Sequence, residues 1–149
     1  MFGAARVASM HRRLVAFAAE HGVTIHPPAH APWTIRPLAA TERARDAGLL
    51  EPFRDRMMDA YWVDGRDIES DEVIGAVARE VGLDADEAVS AADDPAYLER
   101  VRVMRRAAEE EMVTGIPTLF FGDYPVIGCQ PWETFQRVAD KLGVPRRPR

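Results

Sequence analysis

One stretch near the end of the chain limits the fold more than any other, the run Thr114-Gly115-Ile116-Pro117-Thr118-Leu119-Phe120-Phe121. Gly115 adopts left-handed backbone conformations without strain, so it predicts the end of the charged helix that precedes it. Pro117 has no N–H to donate to a sheet and belongs at the first residue of a strand or at a sheet edge. The run therefore predicts a helix end followed by a buried strand that starts with Pro117.

A hairpin and a closing helix are predicted after this strand. The residues Gly122-Asp123-Tyr124-Pro125 are typical of a tight turn, and Val126-Ile127-Gly128 predicts a short return strand. Pro131 favours the first turn of a helix. The apolar residues that follow recur at helical spacing and form one predicted stripe: Trp132, Phe135, Val138 and Leu142.

Almost everything upstream is predicted to be helical. Residues 1–37 are expected to form an N-terminal helix and a proline-rich crossing segment, in which Trp33 packs because an exposed tryptophan forgoes about 3 kcal/mol of burial. Residues 38–113 are expected to form an all-helical region whose first helix starts at Leu38, with Ser70 and Asp84 as helix caps. Residues 114–149 form the third predicted part, the strands and the closing helix.

Two apolar stripes in the helical region are assigned to the core because their residues share one helix face. The first stripe is Phe53, Met57, Met58, Tyr61 and Trp62, and the second is Leu98, Val101, Met104 or Val103, Ala108 and Met112. The first stripe would also suit a hydrophobic substrate groove, but core packing explains it more simply.

The predicted fold class is α+β, with five or six helices and only two strands. A lone two-stranded hairpin is marginal in water, and both of its edges are open to further strands. Either helices cover this hairpin, or a missing segment or another chain supplies the rest of the sheet. We therefore expect a homo-oligomer through the exposed sheet edge as one way of completing it.

Composition removes several classes of function. The net charge of −5 is spread over mixed acidic and basic residues, and the basic tail Pro145-Arg146-Arg147-Pro148-Arg149 is too short to indicate nucleic-acid binding. No apolar run approaches the roughly 18 residues of a membrane span, so no membrane partner is expected. The single cysteine excludes an internal disulfide and a cysteine zinc cluster and is compatible with a reducing cytoplasm, which is the expected location. The four histidines, His11, His21, His26 and His30, are interpreted as surface and loop residues, with no metal site.

The last third of the chain resembles the DsbA family of thioredoxin-fold proteins. The resemblance rests on the Gly-Ile-Pro-Thr run with its aromatic strand and on Gly128-Cys129-Gln130-Pro131-Trp132-Glu133. Within that family the sequence resembles the FrnE-type branch most, and this branch is related to 2-hydroxychromene-2-carboxylate isomerases and kappa-class glutathione transferases. Upstream, Tyr61-Trp62-Val63-Asp64-Gly65-Arg66-Asp67-Ile68 and Val81-Gly82-Leu83-Asp84 look like the helical insertion of that branch. The resemblance implies the C-terminal part of a thioredoxin-like fold, a hairpin plus a final helix, with a large all-helical insertion.

The resemblance also implies where substrate binds. In the thioredoxin families the matching proline is cis, and the backbone of the residue before it pairs with an extended substrate. Ile116 and Pro117 would be this substrate-facing pair, and Thr118 would begin the strand. Members of the family open with a strand, a Cys-X-X-Cys or serine-bearing helix start and another strand. Because the sequence has no Cys-X-X-Cys, the chain is expected to lack this catalytic front half.

Cys129 is the only thiol that could carry chemistry. It precedes the predicted last helix, whose positive end could make a thiol more nucleophilic. The simpler interpretation is a small apolar filler in a tight turn, and without a resolving partner a single thiol cannot complete dithiol exchange.

Three functions follow. The first is a thiol–disulfide oxidoreductase of the DsbA/FrnE type, with a polypeptide or small thiol as substrate, no cofactor, and no dithiol exchange by these residues alone. The second is a non-catalytic binding or assembly module that pairs through its open sheet edge. The third is a glutathione-dependent isomerase or transferase relative.

Overall fold

A computed structural model of the chain describes residues 4–28 and 32–145. Over these ranges the fold is α+β, as predicted, with helices and a two-stranded sheet. The elements are α1 Ala4–Glu20, α2 Ile35–Asp46, α3 Leu50–Trp62, α4 Asp71–Glu80, α5 Ala85–Asp93, α6 Pro95–Glu110, β1 Thr118–Phe121, β2 Tyr124–Ile127 and α7 Trp132–Lys141. His30 and most of the basic tail, residues 146–149, lie outside the described residues.

The chain divides into two compact units, Met1–Val103 and Met104–Arg149, called here the helical unit and the hairpin unit. Each is described by itself. The predicted divisions after residues 37 and 113 stay predictions.

Helix starts in the helical unit follow the predicted capping chemistry. The Ser70 hydroxyl accepts a hydrogen bond of 3.2 Å from the Val73 N–H at the start of α4. The Asp84 carboxylate accepts one of 2.9 Å from the Glu87 N–H at the start of α5. Both bonds satisfy amide groups that a helix leaves without partners in its first turn. The prediction for α2 was wrong, because the helix begins at Ile35 and carries Pro37 in its first turn, where a missing N–H costs nothing.

The core of the helical unit lies among α2, α3, α4 and α5. Phe53, Ile74 and Val77 are its largest fully buried side chains. Alanines of α2 and α5 are also fully buried, which lets these helices approach closely. The first predicted stripe is therefore mainly core: Phe53 and Met57 are buried, Tyr61 and Trp62 are half-buried, and Met58 alone is exposed.

Arg36 links three helices at one end of this core. Its guanidinium donates to both Asp93 oxygens at 2.9 and 2.6 Å, to the Asp71 carboxylate at 2.6 Å and to the Glu69 carbonyl. Asp71 begins α4 and Asp93 ends α5, so a single side chain fastens both to the start of α2.

Two apolar predictions for the chain upstream of β1 were wrong. The Trp33 side chain was predicted to pack, but Trp33 is 64% exposed. Its backbone N–H donates a hydrogen bond to the Glu69 carboxylate. In the second predicted stripe only Val101 is buried, and Met104 and Met112 are exposed. Helical spacing identifies an apolar face but does not show that another element covers it.

The hairpin unit pairs β1 with β2 in antiparallel register, with Thr118 opposite Ile127 and Phe121 opposite Tyr124. The Phe121 and Phe135 rings stack at 6.3 Å between centroids, which places α7 against the sheet. The prediction of a buried strand was wrong, because Leu119 and Phe120 are exposed, and the predicted apolar stripe of α7 contains no buried residue. Within the described part of this unit, no third strand joins the sheet.

Candidate functional site

The predicted substrate segment lies at the open end of the hairpin, just before β1. The preceding helix was predicted to end at Gly115, but it ends earlier. Met112, with φ of 56°, is the left-handed residue, and the Val113 N–H donates to the Ala108 carbonyl. Gly115 serves close packing instead, because a Cβ placed there would lie 3.0 Å from Cγ2 of Ile127.

Thr118 fixes the approach to the strand. Its hydroxyl donates a 2.6 Å hydrogen bond to the Gly115 carbonyl, which closes the Gly115–Thr118 segment into a turn. Thr118 is half-buried and begins β1. The turn therefore presents the two residues between its ends, Ile116 and Pro117, at the surface.

Ile116 is 91% exposed, the most exposed of the large apolar residues described. The Ile116–Pro117 peptide bond is cis, and Pro117 is exposed as well. Within the described residues, neither backbone group of Ile116 has a hydrogen-bond partner. An apolar side chain flanked by free backbone groups is the arrangement that an added peptide strand can use.

The Pro117 carbonyl holds the two strands together at this end. It accepts a 2.7 Å hydrogen bond from the Gly128 N–H, one step beyond the last strand pair, Thr118 and Ile127. This bond brings the segment after β2 next to the Ile116–Pro117 segment. The sequence placed Gly128 only at the end of the return strand and did not identify its amide as a positioning group.

Cys129 follows Gly128 directly and is therefore near the predicted substrate segment. It is a free and exposed cysteine, so it does not fill the interior of the turn. The neighbouring Gln130 side chain donates a 2.8 Å bond to the Ile127 carbonyl and fixes this turn. Trp132 begins α7 and is 68% exposed, which adds apolar surface to this part of the hairpin unit.

The histidines are not brought together. The prediction of surface and loop histidines was wrong for His11, which is buried on α1 with no hydrogen-bond partner for its Nε2 among the described residues. His21 and His26 are exposed. In the parts of the chain that the structure describes, no group of three or more His, Cys, Asp or Glu residues could hold a metal ion. No helix in residues 4–28 and 32–145 is both long and apolar enough to cross a membrane.

Comparison with known proteins gives one family match. The model of the DSBA-like thioredoxin domain matches residues 3–139. No curated protein matches the chain.

Two solved structures are similar to the chain. A probable DsbA oxidoreductase from Streptomyces coelicolor shares 26% identity with a TM-score of 0.71, over 99% of this chain and 65% of that one. A 2-hydroxychromene-2-carboxylate isomerase shares 20% identity with a TM-score of 0.71, over 93% of this chain and 68% of that one. These likenesses confirm the predicted thioredoxin-like fold with a helical insertion. The chain thus spans less than two thirds of the length of the Streptomyces protein.

Proposed function

The chain belongs to the DSBA-like thioredoxin domain family, and from this premise we propose that it is a thiol–disulfide oxidoreductase-type protein that binds an extended polypeptide or small thiol at Ile116–Pro117. Within that family we assign it to the FrnE-type branch. Thr118 and the Gly128 amide act as positioning groups that hold this pair at the surface. The observation that supports the proposal best is the 91% exposure of Ile116 beside backbone groups without partners in the described residues.

We place the dithiol step of the family's chemistry outside these 149 residues. In dithiol exchange one thiolate attacks a disulfide sulfur and releases a thiol, and a second thiolate then attacks the mixed disulfide and reforms a disulfide. Cys129 can perform the first attack but is the only cysteine of the sequence, so nothing in it can perform the second. A single thiol in a DsbA-type chain also fits a reducing cytoplasm, which is the location we propose.

The proposal is tested by insulin reduction with dithiothreitol as the electron donor. We expect no acceleration by the 149-residue chain. Incubation with an excess of oxidised glutathione should give one mixed disulfide by mass spectrometry, absent from Cys129→Ser. Insulin reduction that disappears in Cys129→Ser would contradict the proposal, because it would put the mechanism on this one thiol.

Substrate binding at Ile116 needs a separate test. A cysteine-free extended peptide of alternating valine and threonine should shift the amide resonances of Gly115, Ile116, Thr118 and Gly128. Ile116→Asp should weaken the binding, and Val103→Asp, which changes another exposed apolar residue, should not. Equal loss in both variants would show nonspecific apolar binding and contradict the assignment of the site.

An assembly module is the second candidate function. It is favoured by the exposure of Leu119, Phe120 and Ile127 on a sheet with only two strands in the described residues. Sheet-edge pairing of two copies would give a dimer at micromolar concentration by analytical ultracentrifugation, and Phe120→Lys would abolish it.

A glutathione-dependent transferase or isomerase has less support, since the likeness to the isomerase concerns the fold alone. Saturable binding of glutathione, measured by calorimetry, would be needed to support this function.

A further inference from the structure

A second surface feature lies at the turn end of the hairpin, away from Ile116. It is a shallow cavity of about 240 Å³ lined by Tyr124, Thr134, Arg137, Val138, Lys141 and Leu142. Tyr124 pairs with Phe121 beside the turn, whereas Ile116 precedes Thr118 at the other end of β1. Three strand steps, about 10 Å, separate those ends, so the cavity is distinct from the proposed substrate segment.

The floor and walls of this cavity are apolar. Tyr124 and Leu142 are about half exposed, and Val138 lies between Arg137 and the end of α7. An adjoining hollow of about 690 Å³ shares Tyr124 and Leu142 and is bounded further by Phe121 and Val144. Because the two hollows share Tyr124 and Leu142, they lie side by side between the hairpin turn and the end of α7, and together they are called here the trough.

The α7 side of the trough carries positive charge. Arg137 and Lys141 are four residues apart on one helix and therefore share a face. Arg137 donates a 3.2 Å hydrogen bond to the Thr134 hydroxyl, which holds its guanidinium at the rim. Neither cation forms an ion pair within the described residues.

Two cations that form no ion pair in the described residues lie beside apolar walls here, and this combination is complementary to a ligand that is both acidic and apolar. The negative charge of such a ligand belongs on the α7 side. Asp123 lines the hollow on the turn side and would repel a carboxylate there. The open, shallow shape suits a chain segment that lies along the trough rather than a compact small molecule.

We propose that this trough binds an acidic peptide segment in which acidic and apolar residues alternate. An apolar side chain fills the space between Tyr124 and Leu142, and the flanking carboxylates contact Arg137 and Lys141. The site is additional to the proposed redox function and does not depend on it. Binding through exposed charges is weak and strongly reduced by salt.

The test uses a fluorescein-labelled hexapeptide of alternating glutamate and leucine, followed by anisotropy with the full chain at low ionic strength. We expect saturable binding that falls roughly fivefold to tenfold in the double variant Arg137→Gln with Lys141→Gln. The matched control is Arg12→Gln with Arg13→Gln, which removes the same two charges from exposed positions on α1 and should leave the affinity unchanged. Leu142→Asp should weaken binding through the apolar wall, with circular dichroism showing that each variant is folded.

Four results would overturn the proposal. The first is no saturable binding of the peptide. The second is equal loss in both double variants, which would mean attraction by total charge alone. The third is equal binding of a hexapeptide of alternating glutamine and leucine, which would mean a purely apolar trough. The last is inorganic phosphate shifting the Thr134 and Lys141 amide resonances while the peptide does not, which would mean a simple anion site.

Discussion

The Gly128 N–H donates a 2.7 Å hydrogen bond to the carbonyl oxygen of Pro117, and this bond joins the two segments of the candidate site. Gly128 makes it with a φ of +83°, a conformation that costs a residue with a side chain about 1–2 kcal/mol. A Cβ at Gly128 would meet only the Gln130 amide nitrogen at 3.5 Å, so substitution strains the backbone without a steric clash.

Gly128→Ala should therefore loosen the open end of the hairpin. We expect faster hydrogen exchange at the amide of residue 128 and weaker binding of the peptide at Ile116. Gly22→Ala is the control, since Gly22 has a φ of +72° with no atom within 4 Å of its added Cβ and lies in the other unit. If exchange at residue 128 rises equally in both variants, the bond to Pro117 does not hold the site.

Phe53 should be a main determinant of stability in the helical unit. It is fully buried, so Phe53→Ala removes apolar contacts and leaves a cavity, at an expected cost of about 3–5 kcal/mol in the free energy of unfolding. Met58→Ala, on the exposed face of the same helix, should cost less than about 1 kcal/mol. Urea denaturation followed by circular dichroism measures both; a cost below about 1 kcal/mol for Phe53→Ala would show that the core lies elsewhere.

Gly75 offers a change in the opposite direction. It lies inside α4, where glycine is less favourable than alanine by about 0.8–1.0 kcal/mol. An added Cβ would make ordinary contacts of 3.5 Å with Val89 and 3.6 Å with Ala85. Gly75→Ala should therefore raise the free energy of unfolding by about 0.5–1 kcal/mol, measured by the same denaturation. A loss of stability would contradict this prediction and would mean that the added methyl group disturbs the packing of α4 against α5.

The features that sequence predicted correctly are local ones. The Ser70 and Asp84 caps depend on side chains three residues from the amides they bind. The hairpin was also predicted correctly, but its turn is shorter than predicted, because Tyr124 and Pro125 belong to β2. Such chemistry is complete within a short stretch of chain and can be read directly from it. The proposal that Ile116 and Pro117 bind substrate comes from the resemblance and not from the local pattern.

The predictions that failed concern what covers a surface. The stripes that include Met104 and Trp132 have helical spacing, yet both residues are exposed. A stripe records which face is apolar, but its burial depends on a partner element that the stripe does not encode. The prediction for Gly115 was wrong for a related reason. It assigned the glycine to helix termination, whereas a side chain is excluded there because a Cβ would lie 3.0 Å from the Ile127 side chain. Ile127 is on β2, a dozen residues further along the chain, so the local sequence does not show this contact.

Acid stability provides the last prediction, through Arg36 and Asp93. The hydrogen bonds from the Arg36 guanidinium lower the pKa of the Asp93 carboxyl below its ordinary value of 3.8. A carboxyl whose pKa is lower in the folded protein stabilises the fold at pH values above its unfolded pKa, and this contribution is lost as the pH falls through the folded pKa. The Arg36–Asp93 pair should therefore contribute at neutral pH and progressively less below pH 3.8.

Arg36→Gln tests this directly. It removes the donor to Asp93, Asp71 and the Glu69 carbonyl, at an expected cost of about 1–3 kcal/mol at neutral pH. The difference between parent and variant in the free energy of unfolding should shrink as the pH falls below about 4, because Asp93 is then protonated in both unfolded chains and increasingly in the folded ones. Arg105→Gln is the control: it breaks an exposed pair with Glu109 at 2.9 Å and should cost no more than about 0.5 kcal/mol. A difference for Arg36→Gln that stays constant from neutral pH to pH 2 would show that Arg36 acts through the uncharged Glu69 carbonyl, and that its pairing with Asp93 contributes nothing to the stability of the fold.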